Sequence, residues 1–152
     1  MKFKLSLESL LSIALIIFFF MPWLKVAGGL INYTGYEIPY TGKTVQLLFS
    51  SETYSGGTNF MAYLAYLIYL VPVLAALTIY LDLFSRKVSR LLPLLAAAIP
   101  VVIFIAMLIK LQLGAFDHYD IGLYLSVLIS VVIILDYFGL INMADMVKGK
   151  RR

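Results

Sequence analysis

The chain has 152 residues, no cysteine, a net charge of +4 and 62% hydrophobic residues, with a mean hydropathy of +0.98. Soluble domains are about 45–50% apolar, and here the apolar residues lie in uninterrupted runs rather than amphipathic stripes, which argues against a soluble globule. The missing cysteine excludes disulfides, iron–sulfur clusters and thiolate zinc sites.

Four apolar runs follow one another: Leu5–Leu24, Phe60–Leu81, Leu91–Leu113 and Ile121–Ile141. They are 20, 22, 23 and 21 residues long. About 20 residues at 1.5 Å each cross a roughly 30 Å hydrocarbon core, and the absence of water there requires helix. The expected fold class is therefore all-α transmembrane. It is a four-helix bundle with a small β-rich extracytoplasmic loop, 25–59, between the first two helices, all in one membrane domain, 1–152. A cleaved signal peptide is the competing reading of the first run. Its apolar stretch is longer than a usual signal core, and Pro22-Trp23-Leu24-Lys25 separates it from the small residues Ala27-Gly28-Gly29.

Charge sets the expected orientation. Nine of the twelve basic residues fall on the side holding the N-terminus, the 82–90 connection and the tail; only Lys25, Lys43 and Lys110 fall on the other. The positive-inside rule then predicts an inner or plasma membrane location with both termini cytoplasmic and 25–59 outside.

Ser6 is positioned to cap the first helix, with Glu8 in its first turn. Pro22 and Trp23 mark its outer end, where tryptophan suits the membrane interface. In the long loop, Leu30–Thr34, Tyr36–Ile38 and Thr44–Phe49 read as short strands, and Ser50–Asn59 reads as a return to the membrane. So small a sheet must pack on something, and Trp23, Phe60 and Tyr63 are the nearest apolar candidates. Asn32-Tyr33-Thr34 is a glycosylation sequon. Pro72 is expected to kink the second span, and Pro93 and Pro100 fall in the third. The second and fourth spans close on the same pattern, I-x-L-D-x-F, at Ile79–Phe84 and Ile133–Phe138.

No nucleophile–base pair or cofactor motif is present, and no span carries an ionisable group at its middle. The only chemically rich cluster is Asp117-His118-Tyr119-Asp120. It reads either as a metal site helped by Glu37 or Glu52, or as a polar connection with Asp120 capping the fourth span. The residues read as non-enzymatic, without cofactor and without nucleic acid. The expected partners are the lipid bilayer and another membrane protein or a second copy. Tyrosine and tryptophan favour interfaces, so Trp23, Tyr33, Tyr36, Tyr40, Phe49 and Tyr54 are the candidate contact residues. Lys148, Lys150, Arg151 and Arg152 form a basic cluster in the tail, 142–152, expected to anchor it to an anionic leaflet. The alternatives are a small transporter or channel component, with Tyr66, Tyr69, Thr78, Gln112, Ser126 and Ser130 on a polar path, or a lipid-binding or lipid-modifying membrane protein.

Trp23 after the first span, Leu47-Leu48-Phe49 within a β-rich first loop, a short second loop and inward termini resemble the claudin class of four-helix membrane proteins. The paired loop cysteines of that class are absent. Small prokaryotic membrane proteins share the same layout. The resemblance implies an outer loop that makes protein contacts.

Overall fold

The structure, a computed structural model, describes residues 6–26, 29–40, 65–84, 90–111 and 116–141. Among them lie helices α1 (Leu7–Phe19), α2 (Leu70–Leu83), α3 (Leu91–Leu111) and α4 (Ile121–Tyr137), and strands β1 (Pro22–Val26) and β2 (Ile31–Thr34). Short 3-10 turns occupy Ile38–Tyr40 and Ala65–Tyr69. Four helices with one small sheet match the expected architecture at that level. The tail cluster Lys148, Lys150, Arg151 and Arg152, the contact candidates Phe49 and Tyr54, and the expected strand at Thr44–Phe49 lie outside the described residues.

Each helix starts where its sequence allows. Ser6 caps α1, its Oγ accepting from Ser9 N–H at 3.2 Å. Asp120 caps α4, Oδ1 accepting from Ile121 N–H at 2.7 Å. Such caps satisfy donors that a helix leaves open at its first turn. Pro72 sits in the first turn of α2, which begins at Leu70 directly after the 3-10 stretch Ala65–Tyr69. Pro93 stands likewise in the first turn of α3, and Pro100 is the proline inside that helix.

The helices form a ring in which α1 packs on α2 and α4, and α3 packs on α2 and α4, while α1 and α3 scarcely meet across the diagonal. The interior mixes large apolar side chains with small and hydroxylated ones. Ser9, Ser12, Thr78, Ala75, Ala96, Ala97, Ser126 and Ser130 are all fully buried. Thr78 Oγ1 returns its proton to Leu74 O at 2.9 Å on its own helix. Large apolar side chains point outward: Leu95, Val102, Ile105 and Ile109 on α3, and Ile121, Leu128 and Val131 on α4, with Val102 63% and Ile109 76% exposed. Tyr66–Leu83 and Leu91–Ile109 are long and apolar enough to cross a membrane; α1 and α4 are apolar and shorter.

At one end of the bundle the ring closes through Asp82. Its Oδ2 accepts from Ser6 N–H at 2.8 Å and from Ser9 Oγ at 2.6 Å, which ties the end of α2 to the start of α1. The opposite end carries the sheet.

Candidate interaction surface at the sheet end

The sheet end begins with how α1 stops. A helix leaves its last four carbonyls without intrahelical partners. Met21 N–H takes Phe18 O at 3.1 Å, and the Trp23 indole Nε1–H folds back to the same oxygen at 2.7 Å. The chain is thereby released from the helix at Phe19, not at Leu24 as the apolar run implies, and Pro22–Val26 becomes β1. No propensity signal distinguishes this strand, because Trp, Leu and Val suit either state inside an apolar run.

β1 pairs antiparallel with β2 as Pro22↔Thr34, Leu24↔Tyr33, Lys25↔Asn32 and Val26↔Ile31, with a bulge between Pro22 and Leu24. In a regular strand successive side chains point to opposite faces. Here Trp23 and Leu24 are both fully buried, and the extra residue of the bulge re-aims the chain so that this is possible. Trp23 packs edge-on against Phe19 with centroids 5.8 Å apart. It forms one core cluster with Phe19, Leu24, Ile38, Ile68, Val71, Met107, Tyr119 and Leu123. Gly29 turns the hairpin at φ +91°, in the left-handed region that glycine favours.

The short connection before α4 joins this sheet, which the spacing of elements does not reveal. Lys25 N–H donates to His118 O at 2.8 Å, and Asp120 N–H donates to Trp23 O at 2.9 Å, making a bridge between Leu24 and Tyr119. Gly122 brings the start of α4 against the same chain: a Cβ there would lie 2.5 Å from Pro22 O. Tyr119 is buried, stacks on Phe104 at 4.6 Å and donates its phenol to Phe104 O at 2.7 Å. Burial, and after it the neighbouring Tyr124, pushes the Tyr119 phenol above its ordinary value of 10.0. The Asp117–Asp120 cluster thus has structural tasks. Asp120 caps α4, and His118 Nδ1 lies 3.2 Å from Lys25 O. Among the described residues no three His, Cys, Asp or Glu side chains converge on one point.

A tight turn after β2 presents the outer face. Glu37 N–H donates to Thr34 O at 3.0 Å, while Glu37 Oε2 accepts from Thr34 N–H at 2.9 Å and Thr34 Oγ1 at 3.0 Å. Gly35, inside this turn, presses on α1; a Cβ there would stand 2.7 Å from Phe19 O. The turn lifts Tyr36 beside α2, where the Tyr69 phenol donates to Tyr36 O at 2.8 Å. The result is a row of rings: Phe20 to Tyr36 at 6.4 Å, Tyr36 to Tyr69 at 6.0 Å, and Tyr69 to Tyr66 at 6.2 Å. Phe20, Tyr36 and Tyr66 are 59, 48 and 46% exposed.

Of the contact residues expected from sequence, Tyr36 stands in this row, Tyr33 is half-buried on β2, and Trp23 is fully enclosed beneath them. Tyr40 ends the Ile38–Tyr40 turn, and its side chain is not among those described. Phe20 and Tyr66 were not singled out for contact by sequence. Phe20 reads there as one more residue of an apolar run, and only the fold sets it beside Tyr36. No protein-family model, no curated protein and no solved structure matches this chain.

Proposed function

We propose that this is a non-enzymatic integral membrane protein whose sheet end binds a protein partner, either a second copy or a neighbouring membrane protein. The bilayer part of the reading is supported by the large apolar side chains on the outward faces of α3 and α4 and by the small and hydroxylated residues enclosed where the helices meet. Lipid-exposed irregular backbone is not tolerated in hydrocarbon, but backbone buried in protein is. β1 meets that condition, because Trp23 and Leu24 are enclosed and Trp23 O and Lys25 N–H have partners. Both termini are cytoplasmic and 25–59 is outside, in the layout shared with the claudin class. A single cysteine replacing Gly42 that labels from the cytoplasmic side would refute this orientation.

The observation that carries the partner reading is the exposed row Phe20–Tyr36–Tyr69–Tyr66. Rings held by one another and by the Tyr69–Tyr36 hydrogen bond lose little side-chain freedom on binding, which is why tyrosine is favoured at interfaces. A photoreactive phenylalanine analogue at position 36 or 66 is expected to yield one adduct of defined mass in membranes. The same group at position 128, on the apolar face of α4, is expected to give none. A strictly monomeric protein with no co-purifying chain and no adduct from either position refutes the proposal.

A second reading, a small transport component, draws on the buried hydroxyls. Ser12, Ser126 and Ser130 are enclosed without a hydrogen-bond partner among the described residues, which is costly unless something polar reaches them. Proteoliposome flux equal to that of empty vesicles, across ions and small solutes, retires it.

A further inference from the structure

We propose that Asn32 is an acceptor for an N-linked oligosaccharide, transferred to it while the β1–β2 hairpin is still open. The chain has three asparagines, at 32, 59 and 142, and only Asn32 is followed two positions on by a hydroxyl, in Asn32-Tyr33-Thr34. The acceptor pattern is Asn-x-Ser/Thr with no proline in the middle, and it serves on surface segments of chains that leave the cytoplasm. The structure meets the surface condition. β2 has its first two residues, Ile31 and Asn32, exposed and its last two, Tyr33 and Thr34, half-buried. Asn32 pairs with Lys25 across the hairpin, and the core cluster beneath the sheet does not include it. A glycan there displaces no packed side chain of that core.

The donor is a lipid-pyrophosphate-linked oligosaccharide. The Asn32 amide nitrogen forms a bond to the anomeric carbon, the bond from that carbon to the pyrophosphate oxygen breaks, and the lipid pyrophosphate and one amide proton leave. The fold decides when this can happen. In the closed hairpin the Thr34 hydroxyl, which the acceptor pattern demands, donates to Glu37 Oε2 at 3.0 Å, and Thr34 N–H donates to the same oxygen at 2.9 Å. A transferase meeting the folded chain therefore finds that hydroxyl engaged and Asn32 held in a ladder. Neither constraint holds before β2 closes on β1. The stretch from the end of α1 at Phe19 to Asn32, drawn out at about 3.3–3.6 Å per residue, then reaches roughly 40 Å from the bilayer.

The inference rests on the orientation proposed above, with 25–59 outside, and not on the partner reading. The full chain would be translated in the presence of rough microsomes and its mass compared before and after treatment with peptide-N-glycosidase. A single enzyme-sensitive glycan is expected, absent from Asn32→Gln and from Thr34→Ala. The parent chain, folded in detergent and then given solubilised transferase and the lipid-linked donor, should take about tenfold less glycan than the nascent chain, the ratio for a hairpin held closed by about 1.4 kcal/mol. A second acceptor in the same loop, Gln46→Asn with Leu48→Thr, separates the two readings. A glycan at position 46 with none at Asn32 overturns the site. None at either position refutes the orientation, and the inference with it. A glycan that survives Asn32→Gln overturns the assignment, and equal modification of folded and nascent chains overturns the timing.

Discussion

Replacing Asp82 with alanine removes a carboxylate that ties α2 to the start of α1. Oδ2 of Asp82 accepts at 2.8 Å from Ser6 N–H and at 2.6 Å from Ser9 Oγ. A hydrogen bond to a charged group contributes about 1.5–3 kcal/mol. The carboxylate is half-buried, so the lower end applies, and the two bonds together contribute about 3 kcal/mol. Ser9 is fully enclosed, but Ser6 Oγ remains 3.2 Å from its hydroxyl, which limits the loss to that range. Asp82→Asn keeps an acceptor and loses the charge, so about half the effect is expected. The assay is unfolding in mixed micelles, with helical circular dichroism followed against denaturing detergent. Combining Asp82→Ala with Ser9→Ala should show a coupling of about 1.5 kcal/mol, since both changes delete the same bond. If Asp82→Ala unfolds within about 0.5 kcal/mol of the parent, as an ordinary surface change would, the proposed tie between the helices is wrong.

At Gly122 an alanine Cβ would meet Pro22 O at 2.5 Å and the Met21 carbonyl carbon at 2.9 Å. Those are backbone atoms, so Gly122→Ala should cost about 1–3 kcal/mol in the same assay, and a neutral result would place α4 further from β1. Trp23, the single tryptophan, is 0% exposed. Acrylamide should therefore barely quench its fluorescence in the folded protein, whereas quenching like that of the unfolded chain would put it at the surface. Trp23→Phe removes the 2.7 Å bond to Phe18 O; Met21 N–H still donates to that carbonyl, so the lost hydrogen bond should cost about 0.5–1.5 kcal/mol. Tyr119 bears on alkaline stability. Its phenol is raised in the fold above the ordinary 10.0, chiefly by burial, so the folded state holds the proton more tightly than the unfolded one. Its contribution should be intact below about pH 10 and lost as pH rises through the raised value. A Tyr119→Phe variant should show a smaller alkaline loss, and an unchanged pH profile would refute the assignment.

Elements set by local chemistry were legible in the sequence. Apolar runs announced four helices, and Ser6 and Asp120 announced two of their starts, because a cap needs only one side chain near its own backbone. Ile31–Thr34 was legible as a strand from its β-branched and aromatic residues. The bland role of Asp120 was legible for the same local reason, while the alternative metal reading depended on which distant side chains would converge. Features that depend on chain segments meeting were hidden. Pro22–Val26 lies inside an apolar run and becomes strand because β2 and the 116–120 connection supply its hydrogen bonds. The burial of Trp23 follows from a bulge, which has no composition of its own. Asp82 reads as an interfacial charge until α1 is set against α2, and the row of rings exists only once the 34–37 turn brings Tyr36 between Phe20 and Tyr69. The sequence by itself therefore determined the helical class and the helix starts, through periodicity, hydropathy and caps that act over a few residues. The tertiary structure alone decided where α1 ends and which aromatic rings face outward, because each of these rests on groups tens of residues apart in the chain.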